Sequence, residues 1–262
     1  MEPAISRDCA PQLCVQGPVA TVTLHRPEKM NRITQADVSV LAGHCDAIDA
    51  NPDIRVVVLT ADTTGQTRPV FSAGYDVLGF DAPEHDPRAF ERMVDRIEAL
   101  RPVVLGALSG SVYGGATDLA LACDLRVALK GTQFRMPACA LGLHYYPSGL
   151  RRFVETLGLA GAQQAFLTAQ PLPMETLQRW GAVMSVHSSE DWASEIRVLA
   201  QALAALAPLA VQATKQSLRE IARGTHNPDA LREREDLTAS SADFAEGRRA
   251  LAQRQKPHFT GR

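Results

Sequence analysis

Short apolar runs rich in β-branched residues alternate with longer amphipathic segments over the first half of the chain. The runs predict strands at residues 13–15, 19–24, 54–60, 102–108 and 124–129. Apolar positions three and four residues apart predict helices between these strands, at residues 34–50, 87–99 and 116–122. This alternation predicts an α/β fold in which crossover helices pack on sheets.

The helical period dominates after Gly149. We expect helices at residues 150–157, 161–168, 174–181, 192–206, 209–223 and 228–255. Asn227 is a suitable cap for the last of these, and Pro228 at the first helical position favours the same start. The change in pattern divides the chain into a flexible N-terminus over residues 1–11, a core domain over residues 12–200 and a helical C-terminal region over residues 201–262.

Charge and cysteine content narrow the class of protein. The 262 residues include 27 basic and 29 acidic side chains, and this balance gives no electrostatic reason to expect nucleic acid or a membrane as partner. No apolar stretch approaches the roughly 20 residues of a membrane span, and residues 1–11 do not resemble a signal peptide. The five cysteines include no CxxC pair, which favours reduced thiols over disulfides or zinc. We therefore expect a soluble, cytoplasmic protein.

Two turns rich in small residues follow predicted strands. The turn at residues 109–115 contains Gly110, Gly114 and Gly115 and precedes a helix, so its N–H groups could bind an anion, although these glycines could equally serve close packing. The second turn lies at residues 72–75, after another short predicted strand. Two such turns can direct two backbone N–H groups at one oxygen, and each donor of an oxyanion hole of this kind is worth ~3 kcal/mol of barrier.

Five motifs in order resemble the crotonase (enoyl-CoA hydratase/isomerase) superfamily. They are LHRPEKMN at 24–31, FSAGYD at 71–76, RPVV at 101–104, GSVYGGATDLALACDLRVA at 110–128 and KPHFTGR at 256–262. The resemblance runs from about residue 13 to the C-terminus. It implies a spiral of repeated ββα units and a helical C-terminal region that covers the active site and forms a homotrimer or a dimer of trimers. It also implies an enzyme of fatty acid metabolism that stabilises the enolate of an acyl-coenzyme A thioester without a metal or other cofactor.

The same resemblance implies where the substrate binds. The backbone N–H groups of Tyr75 and Gly115 would form the oxyanion hole. Residues expected to contact coenzyme A are Arg26, Glu28, Lys29, Met30, Ala73 and Asp76, with Phe259 reaching the nucleotide of a neighbouring subunit.

Asp118 is the first candidate for acid–base chemistry. It lies one helical turn after Gly115, where hydratases of the superfamily carry one of two glutamates, and a carboxylate there can act as a general acid or base. The alternative is that Asp118 only balances the positive end of its helix. The second glutamate is missing, because Ala138 stands in its place after Pro137. Its absence argues against simple hydration.

Three downstream residues are candidates to replace that glutamate: His144, Tyr145 and Tyr146. Tyr146 falls where dienoyl-CoA isomerases have an aspartate, and Tyr145 where methylmalonyl-CoA decarboxylase, whose local motifs this region resembles, has a tyrosine. A phenol can bind a substrate carboxylate, and a histidine can carry a proton. All three could instead line the acyl pocket, which is the favoured interpretation for His144. Of the neighbouring arginines Arg151 and Arg152, one is expected to support the active-site loop.

Several reactions, and the choice between an enzyme and a binding protein, therefore stay open. Hydration, isomerisation and decarboxylation share an enolate, while loss of the second acid also fits a catalytically weak acyl-CoA-binding pseudoenzyme. Serine hydrolysis at Ser111 or Ser148 is disfavoured, because the chain has no GxSxG elbow.

Overall fold

The structure is a computed structural model that describes residues 10–77 and 86–262. The predicted flexible N-terminus falls almost wholly outside the described residues, as does the segment 78–85 that precedes the second helix.

Ten strands form two sheets in the described part of the chain. They are β1 (Gln12–Gln16), β2 (Val19–Leu24), β3 (Val56–Ala61), β4 (Val70–Ser72), β5 (Val103–Leu108), β6 (Ser111–Tyr113), β7 (Leu125–Leu129), β8 (Gln133–Arg135), β9 (Leu172–Pro173) and β10 (Ser185–His187). The first sheet has the order β1-β2-β3-β5-β7-β10 and the second the order β4-β6-β8-β9. Pairing is parallel except for the β1–β2 hairpin and the β8–β9 pair.

The helices follow the strands along the chain. They are α1 (Gln35–Ala50), α2 (Ala89–Ala99), α3 (Gly115–Ala122), α4 (Pro147–Thr168), α5 (Met174–Arg179), α6 (Trp192–Ala204), α7 (Pro208–Ala222), α8 (Pro228–Ala239) and α9 (Ala242–Gln253). The predicted boundary at residue 200 falls inside α6. Over the described residues no single helix is long and apolar enough to cross a membrane. The pair α6 and α7 reaches that length and composition only together, and the two helices are bent by 99° at the break between them.

The central strands are buried on both faces, which explains their uninterrupted apolar sequence. Side chains alternate along β3: Val57 and Leu59 enter the main core with α1 and α2, whereas Val56 and Val58 enter a second cluster with α6. The first sheet is therefore a layer packed between helices on both faces. Its neighbour, the small second sheet, carries the turn that leads into α3.

The structure corrects two predictions of secondary structure and adds three short strands. The loop expected at 109–115 contains β6, which pairs with β4 and β8. The long helix expected at 228–255 is two helices, because the chain turns at Ser240 and Ser241, and the Ser241 hydroxyl caps α9. The strands β8, β9 and β10 were not predicted, since two or three residues are too few to show a period.

The predicted break between residues 157 and 161 is confirmed. Gly158 lies inside α4 with φ 68° and ψ 167°, so the helix bends there. Asn227 accepts hydrogen bonds from the first N–H groups of α8, as expected for its cap.

Replacing Gly110 with alanine should destabilise the fold, because the added carbon would lie 2.5 Å from the Val70 nitrogen in β4. Overpacking against backbone costs about 1–3 kcal/mol. Gly43→Ala in α1 is the matched control, since nothing lies within 4 Å of its added carbon. We expect the control to be neutral or to stabilise by up to about 1 kcal/mol. Urea unfolding of both variants measures the difference, and equal stabilities would contradict the packing described here.

Candidate active site

The turn after β4 and the turn before α3 pack directly against each other. Gly74 has φ 95°, and a side-chain carbon there would lie 2.6 Å from the Tyr113 carbonyl oxygen and 2.9 Å from the Gly115 nitrogen. Any larger residue at position 74 would force the two turns apart. This close approach is the physical reason for a glycine in the second turn, and it brings the backbones of Tyr75 and Gly115 together.

Local backbone bonding constrains the two N–H groups assigned to the oxyanion hole. Ile33 forms both bonds of a parallel bridge with the neighbours of Tyr75, at 2.9 Å each, so the Tyr75 N–H faces away from Ile33. Gly115 is the first residue of α3, and its N–H has no carbonyl one turn earlier in the helix to bind. Binding of one oxygen by both groups stays a prediction.

Phe90 connects these turns to the candidate acid–base residues. Its ring packs against Gly115, where an added carbon would lie 2.9 Å from it. The ring also stacks on Tyr75 with centroids 4.9 Å apart and meets the ring of Tyr146 edge-on at 6.5 Å. Phe90 therefore lies between the two turns and Tyr146.

Asp118 lies at the centre of a buried polar cluster. It is fully buried, and Arg152 binds both of its oxygens through Nε and Nη2 at 2.7 Å each. The Tyr146 hydroxyl donates to the same carboxylate at 2.5 Å, and the Tyr145 hydroxyl donates to Tyr146 at 3.0 Å. The structure thus brings together three of the four predicted catalytic side chains.

Arg152 also pairs with carboxylates other than Asp118. Its Nη1 atom donates to Asp95 at 2.6 Å and to Glu98 at 3.2 Å, so one guanidinium faces three carboxylates. Glu98 in turn accepts from Arg151 at 2.8 Å and from Arg223 of α7 at 2.6 Å. The network joins α2, α3 and α4 to the C-terminal helical region.

Burial dominates the protonation of the cluster. It raises the pKa of the Asp118 carboxyl, as does Glu98, whereas Arg152 and the Tyr146 hydroxyl lower that pKa. Burial also raises the pKa of the Tyr145 and Tyr146 phenols above their ordinary range, and both are neutral hydroxyls near pH 7. The pKa of Glu98 is lowered, because its arginine partners outweigh its burial. A neutral phenol that donates to a buried carboxylate can pass its proton to that carboxylate and take up another.

Two other predicted features lie apart from this cluster. His144 is exposed, and in the described part of the chain no hydrogen bond joins it to Asp118 or the tyrosines. Ser148 donates to Glu91 at 3.0 Å, and no Ser–His–Asp arrangement occurs at Ser148 among the described residues. Over the same residues, no group of three His, Cys, Asp or Glu side chains could hold a metal ion.

The first two expected coenzyme A motifs are adjacent. The Ala73 N–H donates to the Met30 carbonyl at 2.8 Å, and Glu28, Lys29 and Met30 are exposed beside it. Asp76 pairs with Arg32 at 3.2 Å.

Two residues expected to contact coenzyme A are held by other parts of the chain. The Arg26 guanidinium binds the buried Asp37 carboxylate at 2.6 and 3.1 Å, so its charge is already matched within the protein. The ring of Phe259 lies against Gly247 of α9, and its carbonyl accepts from Arg55 at 2.8 Å. A contact with a neighbouring subunit's ligand stays a prediction for Phe259.

The sequence analysis missed Phe90 and Glu98. Both lie on one face of α2, where residues 90, 94 and 98 are spaced four apart, and Glu98 is only 7% exposed. A carboxylate in an apolar stripe must find a buried partner, and that pattern was the available signal. One of Arg151 and Arg152 was expected to support the active-site loop; the structure shows that Arg152 binds the candidate residue Asp118 itself.

Comparison with known proteins gives a consistent result. The enoyl-CoA hydratase/isomerase family model matches residues 15–262. A 2,3-dehydroadipyl-CoA hydratase of Escherichia coli (strain K12) is 29% identical over 251 residues, covering 93% of this chain and 96% of the relative. A carnitinyl-CoA dehydratase of Salmonella typhimurium is 30% identical over 266 residues, covering 94% of this chain and 96% of the relative.

Solved structures share the fold. An enoyl-CoA hydratase/carnithine racemase from Magnetospirillum magneticum superposes with a TM-score of 0.86 at 26% identity, covering 98% of this chain and 97% of its own. Another, an enoyl-CoA hydratase subunit from Geobacillus kaustophilus, gives 0.85 at 27% identity, with coverages of 98% and 100%. The predicted crotonase-like α/β fold is confirmed.

Arg152→Gln should destabilise the protein far more than Arg151→Gln. The first variant leaves a fully buried carboxylate without its cation, which costs about 3–5 kcal/mol. Arg151 also binds Glu98, but its side chain is 31% exposed, and such pairs contribute about 1 kcal/mol or less. Chemical denaturation measures both losses. Similar values for the two neighbours would show that the Asp118 pair does not hold the site together.

Proposed function

The chain belongs to the enoyl-CoA hydratase/isomerase family, and from this premise we propose that it moves a carbon–carbon double bond by proton transfer next to an acyl-CoA thioester. It is an acyl-CoA-processing enzyme of this family. The observation that supports the proposal is the close approach of the Gly74 and Gly115 backbones, one helical turn from Asp118.

The thioester carbonyl is the group that would bind between Tyr75 and Gly115. Removing a proton from the neighbouring carbon places negative charge on the carbonyl oxygen, and two backbone donors stabilise that charge. The Asp118–Tyr146 pair lies beyond Phe90, on the side where the acyl carbons would extend, and it can take up and return the proton. Isomerisation needs only one acid–base group of this kind.

Hydration is the less favoured reaction. It normally uses two carboxylates to hold and deprotonate water, and the second position holds the buried methyl group of Ala138. Decarboxylation of a malonyl-type thioester is the second candidate. The stacked and hydrogen-bonded pair Tyr145 and Tyr146 favours it, because a neutral phenol that releases its present acceptor can donate to a substrate carboxylate.

We also propose that the enzyme assembles as a homotrimer or a dimer of trimers. Large apolar side chains are exposed on its helices, among them Leu159, Leu167, Val198, Leu218 and Leu251. Contiguous exposed apolar surface is typical of subunit interfaces, and we expect these side chains to be covered in the assembly.

A comparison of three substrates tests the reaction. We expect 3-hexenoyl-CoA to be isomerised with a kcat/KM at least ~100-fold above that for hydration of crotonyl-CoA, the factor that one missing acid–base group is worth. Decarboxylation of methylmalonyl-CoA is the third assay. Faster hydration than isomerisation would contradict the proposal, and binding of all three thioesters without turnover would favour a pseudoenzyme.

Gly115→Pro should isolate the contribution of one oxyanion donor. Proline is well tolerated at the first position of a helix but has no N–H group. Gly115→Ala is the matched control, because it adds the same carbon against the Phe90 ring and keeps the N–H. We expect kcat of the proline variant to fall about 100- to 1000-fold below that of the alanine variant. Equal values of kcat in the two variants would place the oxyanion hole elsewhere.

A further inference from the structure

We propose that Tyr146 is the catalytic residue that exchanges a proton with the substrate, and that buried Asp118 is a positioning residue that receives and returns the phenolic proton. This inference rests on the proposed function and assigns an order to the groups of its site. The juxtaposition that carries it is the chain of hydrogen bonds from Tyr145 through Tyr146 to Asp118.

Accessibility separates the three groups. Asp118 is 0% exposed and Tyr145 is 7% exposed, whereas Tyr146 is partly exposed at the edge of the core. Both oxygens of Asp118 already accept hydrogen bonds, one from Arg152 and the other from Arg152 and Tyr146. A substrate carbon can therefore reach the Tyr146 oxygen more easily than the carboxylate behind it.

The direction of the hydrogen bonds supports a relay. An ionised carboxylate only accepts, so the proton between Tyr146 and Asp118 belongs to the phenol. The Tyr145 hydroxyl then donates to the Tyr146 oxygen. Tyr146 is consequently held with its proton pointing at an acceptor, and its oxygen can gain a proton as its own departs.

The position along α3 places this relay beside the oxyanion turns. Asp118 follows Gly115 by three residues, which is about 4.5 Å along the helix axis. Phe90 packs on Gly115 and meets the edge of the Tyr146 ring. An acyl chain whose carbonyl binds at Gly115 would pass the Tyr146 hydroxyl within one or two carbons.

The step conserves atoms and charge. The bond between hydrogen and the carbon next to the carbonyl breaks, and that proton joins the Tyr146 oxygen while the phenolic proton moves to Asp118. The electron pair of the broken bond forms the enolate, whose charge lies on the carbonyl oxygen. Reversal of the relay delivers a proton two carbons further along and completes the isomerisation.

Asp118 is suited to receive a proton. Its guanidinium partner is shared with Asp95 and Glu98, so Arg152 does not neutralise Asp118 exclusively. Burial and the nearby Glu98 charge both raise the pKa of the Asp118 carboxyl. The neutral acid formed in the relay is therefore less costly here than in water.

Exchange of the substrate's hydrogen in D₂O tests the relay. 3-Hexenoyl-CoA is incubated with each variant, and deuterium entry next to the carbonyl is followed by NMR, with hexanoyl-CoA binding measured separately. We expect Tyr146→Phe to lose at least ~100-fold in exchange with an unchanged Kd. Tyr113→Phe, which removes a phenolic hydroxyl outside the hydrogen-bonded chain and keeps the backbone of β6, is the matched control and should stay within about tenfold of wild type.

A second readout tests the role of Asp118 without altering the cluster. In the relay a solvent-exchangeable phenolic proton moves while the carbon loses its hydrogen, so wild-type enzyme should show a normal solvent isotope effect on that step. Direct abstraction by Asp118 moves no exchangeable proton and would show none. An absent isotope effect, or wild-type exchange by Tyr146→Phe, would overturn the relay while leaving the proposed function in place. Lack of exchange and turnover in the wild type would overturn both.

Discussion

A single buried guanidinium organises the interior around the candidate site. Arg152 on α4 binds both oxygens of Asp118 on α3 and also reaches two carboxylates of α2, so three helices are fixed around one cation. Removing these charges from water is costly, and the bidentate geometry and additional hydrogen bonds offset much of that cost. Because Tyr146 immediately precedes α4, the same interaction also sets where its hydroxyl meets Asp118.

Close backbone contact determines the other half of the site. The turns after β4 and before α3 approach each other through Gly74, whose positive φ and missing side chain allow Tyr75 and Gly115 to become neighbours. The turns come from strands of the small second sheet, β4 and β6, which pair in parallel. A sheet contact therefore aligns the two turns, and a helix contact aligns Asp118 with Tyr146.

The sequence predicted the local features well. The first two strands, the buried strands and the helix after Gly115 were visible in period and composition, and the family resemblance located Asp118 and both turns. The partner of Asp118 was not predictable in this way, because Arg152 is 34 residues away and its direction depends on the packing of α4. Phe90 belongs to the apolar stripe of α2, but that stripe does not reveal its tertiary contacts with Tyr75 and Tyr146. Strands as short as β9 depend on their pairing partner for their conformation.

The central claim is that the Tyr75 and Gly115 amides bind one thioester oxygen with Tyr146 beside the reacting carbon. A crystal structure with a non-reactive acyl-CoA analogue measures this most directly. The account predicts a carbonyl oxygen about 3 Å from both amide nitrogens and the Tyr146 oxygen as the protein acid–base atom nearest the adjacent carbon. A carbonyl bound away from these amides, or an acyl chain that does not pass Tyr146, would contradict it.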